Sequence, residues 1–127
     1  MYKKLSKVAI PIRQLDAVVD FFSGVLRLHL KGLAVDHKAV FSVGDCEIHF
    51  EQITNPEQAA QAANFQAQNT SLFLEVDDLK MVENYFKTLP YFKQHPYQIK
   101  IDFMGKQFMV LEGPENIKVE LSTRASS

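Results

Sequence analysis

The sequence has little of the chemistry on which several common classes of protein depend. Its 127 residues include one cysteine, Cys46, and no tryptophan. One cysteine excludes an intramolecular disulfide and any zinc site built from several cysteines. The formal net charge is −1 at pH 7, which gives no electrostatic reason to expect nucleic acid or an anionic membrane as a partner. No apolar run approaches the roughly 20 residues of a transmembrane helix.

Targeting and phosphate-binding motifs are missing as well. Lys3 and Lys4 precede an apolar stretch, but Pro11 and Arg13 interrupt it. The stretch is therefore too short for the hydrophobic region of a signal peptide. The sequence contains no Gly-rich phosphate loop and no nucleophile elbow. Apolar residues make up 46% and charged residues 23%, which is typical of a soluble globular protein. We therefore expect a single cytoplasmic domain over residues 1–127.

An internal repeat is the strongest feature that the sequence does have. The stretch KVAIPIRQLDAVVDFF, residues 7–22, has the same apolar pattern as SLFLEVDDLKMVENYF, residues 71–86. In both stretches apolar residues first alternate, as in a half-buried strand, and then recur at helical spacing. Such a repeat indicates two similar structural units. Each half of the chain is therefore predicted to begin with a strand followed by a helix.

Three further strand-like segments, separated by turn residues, complete each half. In the first half the helix over 15–26 is followed by strands over 28–35, 39–43 and 47–52. In the second half a strand over 71–76 and a helix capped by Asp77 or Asp78 are followed by strands over 97–104, 107–112 and 117–121. The sequence therefore predicts an α+β fold of two tandem βαβββ modules, whose curled sheets enclose a cleft.

The predicted boundaries place module one at 1–53, a linker at 54–69 and module two at 70–127. Asn55, Pro56 and Gln58 resemble a capping box with proline at the first helical position. We expect a short alanine-rich helix in this linker. The segment is either a plain connection or a flap over a pocket.

The sequence resembles the glyoxalase I / bleomycin-resistance / extradiol dioxygenase superfamily, also called the vicinal oxygen chelate proteins. The resemblance rests on KVAIPIRQLDAVVDFFSGVLRL, SLFLEVDDLKMVENYF and the closing GPENIKVEL, and it covers nearly the whole chain. It implies two βαβββ modules around a cleft, and a homodimer. It also implies a divalent metal in the cleft, held by four side chains, typically His, Glu or Gln, one near the start and one near the end of each module.

Two of the four ligand positions that the resemblance implies carry unsuitable residues in this chain. The first position matches Lys7 and the third matches Ser71, whereas the second falls on His49 and the fourth on Glu120. A divalent metal needs lone pairs, from imidazole, carboxylate, carbonyl or water. Lys7 brings a cation, and Ser71 is a weak neutral ligand. We therefore expect neither the metal of this superfamily nor another cofactor.

A divalent metal is nevertheless the one cofactor that the sequence leaves open. Glu47 and Glu51 lie two residues either side of His49 on the same strand face, so a shift in strand register would substitute a carboxylate. A metal, if present, would use His49 and Glu120 with Glu47 or Glu51. Two glycines of the superfamily are also replaced: the glycine that ends the first helix by Arg27, and the glycine of the closing DPxGNxxEL pattern by Asn116.

Lys7 and Glu120 are predicted to face each other across the cleft. Strand alternation places Lys7 opposite the apolar face of strand one, and Glu120 opposite the apolar face of the last strand. A partly buried ammonium needs a partner, so Lys7 is expected to pair with Glu120, with His49 as an optional further partner. The pair would either neutralise a filled cleft, or Lys7 would meet a carboxylate or phosphate of a ligand. Phe73 shares the inward face with Ser71 and is the best candidate to line an apolar pocket.

Two functions follow from these residues. The first is a glyoxalase-like protein that binds a small anionic or aromatic molecule without a metal, with Lys7, His49, Ser71, Phe73 and Glu120 as ligand contacts. The second is an enzyme, a lyase, isomerase or dioxygenase relative, which would use a metal or the side chains of Lys7, His49 and Glu120. The loss of ligand character at Lys7 and Ser71 favours the first function. The sequence does not identify the ligand.

Overall fold

The computed structural model describes residues 1–55, residue 57 and residues 70–123. The chain divides into two compact units, Met1–Gln68 and Asn69–Ser127. Each unit contains one four-stranded mixed sheet and repeats the same element order, so the predicted α+β fold of two tandem βαβββ modules is confirmed. The single domain and the cleft between the sheets stay predictions.

The first unit consists of a mixed sheet and a helical segment. Its elements are β1 (Lys7–Ile12), α1 (Leu15–Val19), a π-helical segment (Asp20–Val25), β2 (His29–Ala34), β3 (Lys38–Val43) and β4 (Cys46–Gln52). The strand order is β1-β4-β3-β2, with β1 parallel to β4 and the other pairs antiparallel. β1 and β2 are therefore the two edges of the sheet, joined by the helical connection.

Three phenylalanines form the centre of the core in this unit. Phe22 comes from the π-helical segment, Phe41 from β3 and Phe50 from β4, and all three are fully buried. Their ring centroids lie 4.8 to 5.9 Å apart, a spacing at which aromatic pairs attract one another beyond their buried area. The helical segment therefore covers one face of the sheet and leaves the other face for polar side chains.

The helix predicted over 15–26 forms as two consecutive segments of different type. α1 ends at Val19, and the chain continues as a π-helix to Val25. The Ser23 hydroxyl donates a hydrogen bond of 2.6 Å to the Val19 carbonyl, and such side-chain bonds compete with the α-helical ladder. The apolar spacing predicts the helical path but does not distinguish these two forms.

The second unit repeats the arrangement with one additional helix. Its elements are β5 (Thr70–Val76), α2 (Leu79–Phe86), α3 (Tyr91–Gln94), β6 (Gln98–Ile101), β7 (Gln107–Glu112), a 3₁₀ turn (Pro114–Asn116) and β8 (Ile117–Thr123). The strand order β5-β8-β7-β6 matches that of the first unit. The side chain of Asp78, rather than that of Asp77, caps α2 by accepting from the amides of Lys80 and Met81 at 3.0 and 3.2 Å.

The strand predicted over 97–104 is shorter in the structure, because an aspartate ends it. One carboxylate oxygen of Asp102 accepts from the amides of Met104 and Lys106, both at 2.9 Å. Asp102 therefore organises the turn between β6 and β7, and Gly105 supplies the positive φ of 79° that the turn requires.

The linker prediction falls mostly outside the described residues. Asn55 Oδ1 accepts from the amide of Glu57 at 2.8 Å, which is the start of the capping pattern. The expected alanine-rich helix lies outside the part of the chain that the structure describes. Among the described helices, none is long and apolar enough to cross a membrane.

Candidate functional site

The sheet face opposite the helical segment carries the polar residues of the first unit. In the register of β1 with β4, Lys7 lies opposite Glu47 and Ala9 opposite His49. Glu47, His49 and Glu51 alternate along β4 and therefore share this face. The structure thus places Lys7 and His49 on one face of one sheet, as the alternation predicts.

A chain of hydrogen bonds links three charged or titratable side chains on this face. Lys31 Nζ donates to Glu47 Oε2, and Glu47 Oε1 lies 2.8 Å from His49 Nε2. The hydrogen bond from Lys31, followed by that from His49, lowers the pKa of Glu47 to about 2. Glu47 is therefore ionised at neutral pH and can only accept hydrogen bonds, so His49 Nε2 carries the hydrogen of this bond.

The second ring nitrogen of His49 has no such partner. His49 is buried, with 8% of its surface exposed. Its Nδ1 atom is buried and has no hydrogen-bond partner among the described residues. A buried polar atom without a partner costs about 1 to 3 kcal/mol. The chain Lys31–Glu47–His49 therefore fixes the imidazole and leaves one nitrogen able to bind a further group.

Lys31 belongs to the candidate site, although the sequence analysis did not single it out. It lies where the pairing of β2 with β3 shifts register, between Leu30 and Gly32. A glycine inside a strand often marks such a bulge, and Gly32 was the signal that could have drawn attention to Lys31. The choice of Glu47 as its partner depends on three-dimensional register and has no local signature.

A cavity of about 440 Å³ lies at the end of this sheet next to Lys7. It is lined by Lys4, Ser6, Lys7, Lys31, Ser42, Gly44, Asp45, Cys46 and Glu47. Lys31 and Glu47 neutralise each other, which leaves Lys4 and Lys7 against Asp45 and hence an excess of positive charge. An anionic group would be attracted to this cavity.

The second unit brings three of the predicted ligand contacts onto one face of its sheet. Phe73 lies opposite Glu120 in the pairing of β5 with β8, and Ser71 precedes Phe73 by two residues on the same strand. Phe73 is 74% exposed and Glu120 is half-buried. A second cavity, of about 400 Å³, adjoins Phe73 and Glu120.

Solved structures share this fold at low sequence identity. A lactoylglutathione lyase from Agrobacterium tumefaciens is 16% identical, with a TM-score of 0.71 over 97% of this chain and 95% of that chain. A glyoxalase / bleomycin resistance protein from Catenulispora acidiphila is 12% identical, with a TM-score of 0.66 over 96% and 100%. An antibiotic binding protein from a Streptomyces species is 10% identical, with a TM-score of 0.69 over 98% of both chains.

The chain has the vicinal oxygen chelate fold. The resemblance inferred from the sequence is therefore confirmed at the level of the fold. Neither a model of a protein family nor a curated protein matches the sequence. Because these solved structures are so distant in sequence, they show the fold of this chain and not its function.

The two replaced glycines of the vicinal oxygen chelate pattern keep the backbone conformation that glycine favours. Arg27 has a φ of 58° and Asn116 a φ of 59°. Asparagine adopts this left-handed region more readily than most residues with a side chain, whereas arginine adopts it at a cost. The fold therefore retains both turns although the sequence pattern has changed.

The described side chains of the first unit offer few free donors to a divalent metal. Lys7 lies where the resemblance implies a ligand, and both carboxylate oxygens of Glu47 are engaged by Lys31 and His49. His49 Nδ1 and the carboxylate of Glu51 are the donors left on this face, and two side chains are fewer than the three that hold a catalytic zinc ion. Within either unit, no three His, Cys, Asp or Glu side chains among the described residues come together to hold a metal ion.

The five predicted ligand contacts are divided between the units. Lys7 and His49 belong to the first, and Ser71, Phe73 and Glu120 to the second. The predicted pairing of Lys7 with Glu120 joins the two units and stays a prediction. Within the first unit, the ammonium that pairs with a carboxylate on the polar face is that of Lys31.

Proposed function

We propose that this protein binds a small molecule, without the metal of the vicinal oxygen chelate proteins, and that Lys7 receives an anionic group of the ligand. The observation that carries the proposal is the pair of hydrogen bonds that links Lys31, Glu47 and His49 beside Lys7. These bonds engage both carboxylate oxygens of Glu47, so Lys7 remains available in a cavity with excess positive charge.

Two contacts of different chemistry follow from this arrangement. Lys7 has no hydrogen-bond or ion-pair partner among the described residues of its unit and attracts a carboxylate or phosphate. His49 Nδ1 offers a lone pair when the ring is neutral, and it accepts a hydrogen bond from a hydroxyl or amide of the ligand. A ligand that supplies this donor relieves the cost of the unpartnered nitrogen.

The functions of structurally similar proteins support a binding role. One of them is an antibiotic binding protein and another is a glyoxalase / bleomycin resistance protein. These functions are those of the similar proteins. Their sequence identity to this chain is too low to identify a ligand for it.

The proposal also includes the homodimer that the resemblance implies and the cytoplasmic location. Sedimentation velocity tests the dimer, and a purely monomeric protein would contradict it.

Binding of a small anion tests the proposal directly. Benzoate and inorganic phosphate are titrated into ¹⁵N-labelled full-length protein, and the amide shifts and the melting temperature are recorded. We expect at least one anion to perturb amides of β1 and β4. Lys7→Met should abolish this response, because it replaces the ammonium by an apolar chain of similar length.

Lys38→Met is the matched control, since Lys38 lies on β3 on the same sheet face but does not line the cavity. It should bind as the unmodified protein does. The proposal fails if neither anion perturbs the first unit, or if Lys7→Met and Lys38→Met weaken binding equally.

One observation favours the enzyme alternative enough to keep it as a second candidate. Glu47 orients the buried imidazole of His49, and a carboxylate that holds a histidine in one tautomer is a recurring part of general-base catalysis. A substrate proton would have to lie within hydrogen-bond reach of His49 Nδ1. Turnover of glyoxalase-type substrates that disappears in His49→Gln would favour this candidate over pure binding.

A further inference from the structure

The cavity of the second unit combines aromatic rings with an excess of negative charge. It is bounded by side chains from β5, β7, β8 and the turn between β6 and β7. The lining residues are Phe73, Glu75, Asp102, Lys106, Gln107, Phe108, Glu120, Ser122 and Thr123. Three carboxylates face one ammonium in this set, so the charge of the lining is opposite in sign to that of the first unit's cavity.

The single ammonium of the cavity is already engaged. Lys106 Nζ donates to the Thr123 carbonyl at 2.8 Å. Within the second unit, as far as it is described, Lys106 forms no ion pair with the neighbouring carboxylates. Two other lysines share the sheet face but not the cavity: Lys100 lies opposite Phe108, and Lys118 lies opposite Ser71.

The three carboxylates differ in their hydrogen bonding. Asp102 stabilises the turn, because one of its carboxylate oxygens accepts hydrogen bonds from two backbone amides. Glu75 and Glu120 have no hydrogen-bond or ion-pair partner within the described part of their unit. Glu120 is half-buried beside Phe73. A partly desolvated carboxylate without a partner favours a cation next to it.

The aromatic rings supply the second half of the recognition chemistry. Phe73 is 74% exposed although it is large and apolar, and it stands directly across from Glu120. Phe108 lies two strands away from Phe73 and lines the same cavity. The negative face of a phenyl ring attracts an ammonium, and the attraction increases when water is excluded.

We propose that the second unit's cavity recognises an organic ammonium group, with Glu120 as its counter-ion and Phe73 and Phe108 as its aromatic walls. The inference rests on the proposed function, the binding of small molecules, and names the chemistry that the second unit's cavity would recognise. An anionic group would be repelled by Glu75 and Glu120. A neutral aromatic would gain the contact with the rings but would leave Glu120 without a partner.

Three probes of nearly equal shape test the charge preference. Benzylamine is cationic at pH 7, benzyl alcohol is neutral and phenylacetate is anionic. Each is titrated into ¹⁵N-labelled full-length protein, and the dissociation constant is taken from the amide shifts of Phe73, Phe108 and Glu120. We expect benzylamine to bind about fivefold more tightly than benzyl alcohol, and phenylacetate to bind weakest. Added salt should weaken the binding of benzylamine and leave the binding of benzyl alcohol unchanged.

Two variants test the contributions of the Glu120 carboxylate and the Phe73 ring separately. Glu120→Gln should bring the affinity for benzylamine closer to that for benzyl alcohol, with Glu75 still in the cavity, and should leave the affinity for benzyl alcohol unchanged. Phe73→Leu should lower the affinity for benzylamine more than the affinity for benzyl alcohol, because leucine keeps the apolar contact but has no aromatic face. Glu112→Gln is the control, since Glu112 lies on β7 outside the cavity, and it should change neither affinity.

The possible failures are distinguishable. Equal or tighter binding of benzyl alcohol or phenylacetate at these amides overturns the ammonium inference and leaves a small-molecule site in place. The absence of any shift in the second unit, with anion binding retained at Lys7, overturns the inference and leaves the proposed function intact. If no probe binds either unit, both fail.

Discussion

Arg27 has a side chain at a position where the backbone favours glycine. Its φ of 58° lies in the left-handed region, which costs a residue with a Cβ atom roughly 1 to 2 kcal/mol. Glycine has no such cost, although it loses more backbone freedom on folding. The sequence could identify Arg27 as a departure from the pattern, but the retained turn became visible only in the structure.

Arg27→Gly should raise the free energy of unfolding by about 0.5 to 1 kcal/mol, because it removes the unfavourable φ and adds a smaller entropic cost. Arg27→Ala is the control and should give no such gain, since alanine keeps the Cβ atom. Both are measured by urea denaturation. A loss of stability in Arg27→Gly would mean that contacts of the arginine side chain outweigh the backbone term.

Glu47 should make the stability of the protein depend on pH below neutrality. Its pKa is about 2 in the folded protein, against an ordinary value of 4.5. A lowered folded-state pKa stabilises the fold above the ordinary value, and this contribution is lost as the pH falls from about 4.5 towards 2. Glu47→Gln should therefore show a smaller loss of unfolding free energy over this range.

Denaturant unfolding at several pH values measures the effect. Glu51→Gln is the matched control, because Glu51 lies on the same strand face two residues away, and it should keep the pH dependence of the unmodified protein. Identical slopes for Glu47→Gln and the unmodified protein would contradict the assignment of Lys31 and His49 as partners of Glu47.

At the scale of elements, hydrophobic alternation predicted where the strands lie but not where all of them end. β7 has the predicted bounds, since its buried and exposed residues alternate cleanly. β6 ends three residues earlier than predicted, because the carboxylate of Asp102 accepts hydrogen bonds from backbone amides that follow it in the turn. α3 was missed because it has four residues after Pro90, too few to establish a helical period.

The N-terminus of α2 provides a prediction at this scale. The sequence left Asp77 and Asp78 as alternative caps, and the structure assigns the role to Asp78. Asp78→Ala should lower the free energy of unfolding by about 1 kcal/mol, because two amides lose their acceptor. Asp77→Ala should stay within about 0.5 kcal/mol of the unmodified protein. Urea denaturation compares them, and an equal loss in both variants would contradict the assignment.

For the whole molecule, the repeat predicted the architecture, whereas the site depended on contacts that no repeat encodes. The sheet faces on which Lys7, Phe73 and Glu120 lie follow from alternation. The bond from Lys31 to Glu47 does not, because it depends on a bulge in β2 and on pairing across two strands. Distant relatives share the fold at 10% to 16% identity, a range in which residues rather than fold decide chemistry.

The metal content of untagged protein tests the central claim most directly. The protein is dialysed against Ni, Zn, Mn and Fe(II) salts in turn, then against buffer, and analysed by inductively coupled plasma mass spectrometry beside His49→Ala. We predict retention far below one metal per chain, and equal in both proteins, because Lys7 and Ser71 supply no suitable ligands. Near-stoichiometric retention of one metal that is lost in His49→Ala would contradict the account.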